Sequence, residues 1–76
     1  MMHFDQLGEG MQLRLARVTA GLTLFDVGSR AGVSPPRLSE FERGVRPMEP
    51  SAVDRVRSVL AAAITVGREA RDERGT

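Results

Sequence analysis

Residues 21–44 read GLTLFDVGSRAGVSPPRLSEFERG, a stretch in which glycine separates two short segments of similar length. Thr23 begins the first segment and Asp26 stands three residues later, so the hydroxyl and the carboxylate can cap a helix reciprocally. Gly32 interrupts that segment, and Ser34 begins the second, where its hydroxyl can accept a hydrogen bond from a helix amide. The stretch therefore predicts two short helices separated by a tight turn.

The second segment continues with two adjacent prolines, Pro35 and Pro36, which have no amide proton. The amides of the first helical turn have no intrahelical acceptor, so proline there removes no helical hydrogen bond. The prolines therefore fix the direction in which the helix starts without breaking it. Leu38 and Phe41, three residues apart, are expected to face the core, and Gly44 is expected to end the helix.

Longer helices are expected on both sides of this pair. The first begins near Asp5 or Gly10 and stops at Gly21, and its apolar residues form a stripe that we expect to face the core. That stripe consists of Leu7, Met11, Leu15, Val18 and Leu22. Ser51 is expected to cap the last helix, whose apolar stripe either closes the monomer core or forms a dimer seam. The stripe of the last helix consists of Val53, Val56, Leu60, Ala63 and Ile64, with Gly67 and Ala70 beyond them.

Composition narrows the function classes. The chain has no cysteine, which excludes disulfides and thiolate metal sites, and its net charge is +1. All 11 basic residues are arginines, and residues 14–46 contain six of them against three acids, so positive charge concentrates in the middle. No apolar run is long enough for a membrane span, and residues 1–10 lack the pattern of a secretory signal.

Catalytic chemistry has no candidate residues in this sequence. No nucleophile, acid or base is matched with a plausible partner, and His3 is the only histidine. We therefore expect no enzyme, no catalytic residue, no cofactor, no metal and no small-molecule substrate.

Two short helices joined by a tight turn and flanked by longer helices are the helix-turn-helix arrangement, whose second helix enters the DNA major groove. A single helix fits a groove about 12 Å wide, and the preceding helix braces it against the DNA backbone. Double-stranded DNA is therefore the expected partner.

Residues 13–47, LRLARVTAGLTLFDVGSRAGVSPPRLSEFERGVRP, resemble the lambda-repressor-like helix-turn-helix proteins, also called the XRE or Cro family. The similarity rests on the Gly-Leu-Thr start, the Gly-Val-Ser turn and the Phe-Glu-Arg-Gly end taken together. The lack of alternating apolar and polar runs already predicts an all-α fold, and the resemblance implies a compact bundle of four to five helices. The expected organisation is one domain over 1–76, with a core over 5–64, a helix-turn-helix over 23–42, and fraying at 1–4 and 71–76.

The resemblance also implies roles for individual positions. It implies a structural ion pair between Arg17 and Glu42, which links the first helix to the end of the third. It implies DNA contacts from the starts of the second and third helices and the outer side of the third, and the arginines that follow can reach the DNA backbone. These contact residues are Thr23, Ser34, Pro35, Pro36, Arg37, Ser39, Glu40, Arg43 and Arg46. Arg37 suits guanine and Glu40 suits cytosine N4, although Glu40 can instead pair with Arg37 or Arg43.

Departures from the family pattern leave two functions open. Leu24 and Phe25 stand where the family often has glutamine and another polar residue, and prolines replace hydrogen-bonding residues at the groove. We expect a homodimeric DNA-binding transcriptional regulator of the repressor type, cytoplasmic and nucleoid-associated, reading the groove with helix 34–42. The alternative is a protein-interaction module that uses Leu24, Phe25 and the last helix. Burial of both residues with a basic face on the third helix favours DNA binding, and exposure of both with Glu40 and Glu42 dominating the surface favours the alternative.

Overall fold

The computed structural model describes the backbone of residues 4–75 and the side chains of residues 8–65. Its helices are α1 (Phe4–Thr19), α2 (Leu24–Ala31), α3 (Pro35–Glu42) and α4 (Pro50–Gly75). No strand occurs in the described backbone, which confirms the expected all-α fold. None of the helices, as far as they are described, carries an apolar stretch that would cross a membrane. The expected fraying of the ends stays a prediction, and His3 lies outside the described residues, as do the side chains of Leu7, Gly67 and Ala70.

The starts of α2 and α3 are set by their own sequences. Thr23 Oγ1 accepts a hydrogen bond from the Asp26 amide at 3.0 Å, and Asp26 Oδ2 accepts one from the Thr23 amide at 2.9 Å. Ser34 Oγ accepts from the Arg37 amide at 3.3 Å, and the two prolines occupy the first positions of α3. These caps confirm the helix starts that the sequence predicts.

Glycine ends the first three helices in the same way. The glycines are Gly21, Gly32 and Gly44, with φ of +74°, +72° and +74°, a region in which a side chain is strained. At the end of α3 the Gly44 amide donates to the Phe41 carbonyl at 3.0 Å, and the Val45 amide donates to the Glu40 carbonyl at 2.9 Å. This Schellman pair of bonds satisfies the last carbonyls of α3 and turns the chain into loop 43–49.

The helices enclose one apolar core. Leu38 and Phe41 of α3 are 0% and 1% exposed, which confirms that this side of α3 faces inward. The other core residues are Leu13, Val27, Ala31, Val33, Met48, Val53, Val56 and Leu60. The stripe of α4 therefore closes the core of a single chain up to Leu60, and a dimer seam cannot include its buried members. Ala63 is half-buried and Ile64 is 43% exposed, so a seam through these two stays a prediction.

The orientation of α1 differs from the sequence prediction. Met11, Leu15 and Val18 are 51%, 61% and 57% exposed, so the predicted core-facing stripe is wrong for these three residues. Leu13 and Ala16 face the core instead, about half a turn around the helix.

Close backbone packing explains this orientation. A Cβ built on Gly10 would lie 2.2 Å from the Phe41 carbonyl oxygen, so α1 rests on α3 through a residue without a side chain. Arg17 also points inward, because its side chain bonds to Glu42 of α3. These two contacts fix the rotation of α1 and leave Met11, Leu15 and Val18 in solvent, while Leu22, at the end of the predicted stripe, packs against the core.

The start of α4 also differs from the prediction. The helix begins at Pro50, so the expectation that Ser51 caps it is wrong. The Val53 amide donates to the Glu49 carbonyl at 3.0 Å, which makes Glu49 the residue before the first turn. Pro50 then takes the first helical position, where proline is preorganised for a helix and its missing amide removes no bond.

Candidate nucleic-acid interface

The turn between α2 and α3 brings the two helices into backbone contact. A Cβ built on Gly28 would lie 2.4 Å from the Val33 carbonyl oxygen, so this position of α2 accepts no side chain without a shift. The Val33 amide donates to the Gly28 carbonyl at 2.9 Å, and Val33 is buried. The angle between the helices is therefore set by backbone contact, which leaves the opposite side of α3 in solvent.

The Arg17–Glu42 pair fixes α3 against α1. Arg17 Nε donates to Glu42 Oε2 at 2.8 Å and Nη2 donates to Oε1 at 2.9 Å, a bidentate geometry. The remaining nitrogen, Nη1, donates to the Leu22 carbonyl at 2.9 Å. The two side chains are 12% and 4% exposed, and the hydrogen bond with Glu42 raises the pKa of Arg17. Glu42 consequently adds no free negative charge to the surface.

The two helix starts differ in what they offer to a phosphate. At the start of α2 the amides of Leu24 and Phe25 have no acceptor among the described residues, whereas the side chains of Thr23 and Asp26 are already bonded to each other's backbone amides. At the start of α3 the first two positions are prolines, and the Arg37 amide is already bonded to Ser34 Oγ. An anion therefore meets free amides at the first turn of α2 but not at that of α3.

The outer face of α3 carries Pro36, Ser39 and Arg43 along one line of the helix, and Glu40 lies beside them, one turn after Pro36. Pro36 and Arg43 are exposed and Ser39 is half-buried, as is Pro35 at the start of the same side. Arg43 Nε donates to Ser39 Oγ at 3.3 Å in a solvent-exposed bond. This face offers a groove one apolar surface, one hydroxyl and one guanidinium, next to the Glu40 carboxylate.

Arg37 and Glu40, both expected to read bases, are bonded to the chain itself. Arg37 Nη2 donates to the Pro47 carbonyl at 2.7 Å, and Arg37 Nη1 lies 3.7 Å from Glu40 Oε1. The same Glu40 oxygen lies 3.6 Å from Arg46 Nη1. The pairing of Glu40 with arginine is thus observed in this structure, with Arg37 and Arg46 as its partners rather than Arg43.

Positive charge prevails around α3. Between residues 23 and 46 four arginines stand against two acids, Asp26 and Glu40, because Arg17 neutralises Glu42. Arg30 on α2 is also exposed and forms no ion pair within the described residues. A polyanion approaching α2 and α3 therefore meets a net positive surface.

Two arginines of α4 hold neighbouring helices, and sequence reasoning missed both. Arg55 Nε donates to the Ala31 carbonyl at 2.8 Å and joins α4 to the end of α2. Arg57 contacts the Glu9 carboxylate and joins α4 to α1. Each contact connects residues far apart in sequence, so no local pattern could have indicated it.

Leu24 and Phe25, whose exposure separates the two functions, behave differently from each other. Leu24 packs against the core, whereas Phe25 is 69% exposed. Neither joint burial nor joint exposure occurs, and only Phe25 is available as a large apolar contact at the start of α2.

The sequence matches the model of a family described as helix-turn-helix domain over residues 10–73, which is most of the chain. No curated protein and no solved structure matches it. The geometry of α2, the glycine turn and α3 agrees with that family, whose usual partner is DNA and which is a binding rather than a catalytic family. The chain belongs to the helix-turn-helix domain family.

Proposed function

We propose that this domain binds DNA in a sequence-selective way as part of a lambda-repressor-like (XRE/Cro) transcription regulator, with α3 in the major groove. The Arg17–Glu42 pair carries the proposal, because it holds the apolar side of α3 inward and turns its outer face to solvent. We further propose that the regulator acts as a repressor and that it works at the nucleoid of the cytoplasm.

Base contacts would come from a small set of side chains. Pro36 can touch a thymine methyl, Ser39 can donate or accept a hydrogen bond, and Arg43 can reach guanine or a phosphate. Three such residues support moderate sequence selectivity, so phosphate contacts would supply most of the affinity.

Phosphate contacts would come mainly from the start of α2. The free amides of Leu24 and Phe25 form an anion-binding helix end, and Thr23 holds that end in place through the capping box. Arg43 and Arg46, both exposed, lie just after α3 and add positive charge to the same side.

Selection of bound sites from random duplex DNA, followed by salt titrations, tests this function. We expect one enriched site, with affinity falling steeply between about 50 and 200 mM salt because bound arginines release counterions. Arg43→Met should weaken binding, whereas Arg14→Met removes an exposed arginine from α1 and should leave affinity nearly unchanged. Enrichment of no site at about 50 mM salt would contradict the proposal.

The homodimer is a separate part of the proposal. Two copies would occupy half-sites about 34–36 Å apart, one helical turn of DNA. Gel shifts on duplexes with one or two half-sites should show a second, cooperative complex only on the longer site. If both duplexes show only one complex, containing one chain per duplex, the dimer would be contradicted but DNA binding would not.

A protein-interaction module is the second candidate, and the 69% exposure of Phe25 favours it. Under this function the DNA selection enriches nothing. Under the proposed function Phe25→Ser keeps the enriched site, because the backbone amide at this position survives the substitution.

A further inference from the structure

We propose that Arg37 is a positioning residue that ties α3 to loop 43–49, and that it does not read bases. The inference rests on the proposed DNA-binding function and changes which residues of α3 determine its selectivity. Selectivity is assigned to Pro36, Ser39 and Arg43 instead.

The direction of the Arg37 side chain is the first observation. With 3.6 residues per turn, Arg37 lies about a third of a turn from the line of Pro36, Ser39 and Arg43. Its side chain lines a shallow cleft of about 220 Å³ together with Met48, at the side where loop 43–49 meets α4. Arg37 therefore faces the loop rather than the groove.

The state of its nitrogens is the second observation. Nη2 is bonded to the Pro47 carbonyl at 2.7 Å, a charge-assisted bond. Nη1 is buried and has no hydrogen-bond partner, although the Glu40 carboxylate lies 3.7 Å away. Reading guanine through O6 and N7 needs two free N–H groups on one edge of the guanidinium. Nη2 belongs to both suitable edges, Nη1–Nη2 and Nε–Nη2, and its bond to Pro47 competes with base reading on either edge.

Glu40 extends the connection to the loop. Its carboxylate lies between Arg37 and Arg46, at 3.7 Å and 3.6 Å, and its backbone carbonyl accepts from the Val45 amide at 2.9 Å. Arg37, Glu40 and the Pro47 carbonyl thus fix both ends of the segment that carries Arg46. Arg37 and Glu40 thereby hold Arg46 next to the groove, and Arg37 serves this purpose instead of contacting the DNA itself.

Backbone dynamics of the free protein test the positioning role without DNA. In Arg37→Met, which keeps an unbranched apolar stem, ¹⁵N order parameters of residues 45, 46 and 48 should fall from about 0.85 toward about 0.6, the range of flexible segments. Arg43→Met is the matched control, because Arg43 bonds only to Ser39 on its own helix, and it should leave these values unchanged. Unchanged order parameters in Arg37→Met would overturn the inference, whether or not the protein binds DNA.

Binding measurements test the selectivity assignment. Arg37→Met should weaken binding to the selected site and to a scrambled site by the same factor, so the ratio of the two affinities is preserved. Arg43→Met should reduce that ratio. A tenfold loss of the ratio in Arg37→Met, traced to one guanine of the site, would show that Arg37 reads a base. If the wild-type domain selects no site, the proposed function fails, and the order parameters still decide the role of Arg37.

Discussion

Two arginine–glutamate pairs hold α3 from different sides, and their geometries differ sharply. Arg17 and Glu42 meet at 2.8 and 2.9 Å with side chains that are 12% and 4% exposed. Arg37 and Glu40 lie 3.7 Å apart with side chains that are 32% and 33% exposed. The charges are the same, but burial and bidentate geometry make the first pair a determinant of the fold, while the second only orders a loop.

Breaking the buried pair should have the largest effect. Arg17→Met leaves the Glu42 carboxylate buried without a counterion, which should cost about 3–5 kcal/mol of the free energy of unfolding. The double variant Arg17→Met with Glu42→Leu should be more stable than the single variant, because no unpaired charge remains. Urea unfolding followed by circular dichroism measures both.

The Arg37–Glu40 pair, about a third exposed, provides the control for that experiment. Arg37→Met should cost less than about 1 kcal/mol, since solvent reaches both side chains and Glu40 keeps Arg46 as a partner. Two outcomes would remove the distinction between the two pairs. One is an equal loss of the free energy of unfolding in Arg17→Met and Arg37→Met, and the other is a double variant no more stable than Arg17→Met alone.

Gly10 provides a second test of how α1 is held against α3. Gly10→Ala places a Cβ 2.2 Å from the Phe41 carbonyl oxygen and should destabilise the domain by about 1–3 kcal/mol as α1 moves off α3. Gly8→Ala is the matched control, because nothing lies within 4 Å of its Cβ and alanine favours a helix by up to about 1 kcal/mol. The midpoint of thermal unfolding should fall for Gly10→Ala and rise for Gly8→Ala. A rise for Gly10→Ala would refute the close contact between Gly10 and the Phe41 carbonyl.

The outward stripe of α1 should contribute little to stability. Leu15, 61% exposed, lies opposite the core, so Leu15→Gln should change the free energy of unfolding by no more than about 0.5 kcal/mol. Leu13→Ala, at a position 7% exposed, should cost about 2–5 kcal/mol. A large loss in the free energy of unfolding for Leu15→Gln in dilute solution would mean that Leu15 is buried in a contact rather than exposed to solvent.

The smallest effect is expected at the capping box. Hydrogen bonds from the Thr23 amide and hydroxyl lower the pKa of Asp26 below its ordinary value. A carboxylate with a lower pKa in the folded state stabilises the protein above the unfolded pKa, near pH 4, and loses this contribution as pH falls through the folded value. The difference in the free energy of unfolding between wild type and Asp26→Asn should therefore narrow below about pH 4. A difference that stays constant as the pH falls would contradict the lowered pKa of Asp26.

Local features of this fold were predictable from the sequence, and contacts distant in sequence were not. The Thr23 and Ser34 caps and the glycine ends depend on neighbours within a few residues, and the structure has them where the sequence predicts them. The rotation of α1 depends on Gly10 meeting Phe41, and its hydrophobic periodicity predicts the opposite face. The start of α4 was misplaced because Pro50, not the hydroxyl of Ser51, defines it.

In the candidate site, too, some features were predicted from the sequence and others were not. The resemblance paired Arg17 with Glu42, and the structure has this pair. The role of Arg37 depends on where loop 43–49 places the Pro47 carbonyl, and no sequence pattern specifies that position. A residue type suited to guanine was therefore assigned to the groove, although the structure bonds it to the loop.

The most direct test of the central claim is NMR mapping of the DNA-bound surface, by titrating ¹⁵N-labelled protein with the selected duplex at about 100 mM salt. If α3 enters the groove, the largest shift changes will fall on the amides of residues 23–25, 34 and 37–46, with little change along Met11, Leu15 and Val18. Shift changes concentrated on that α1 stripe, or none at all, would contradict the claim that α3 is held outward to bind DNA.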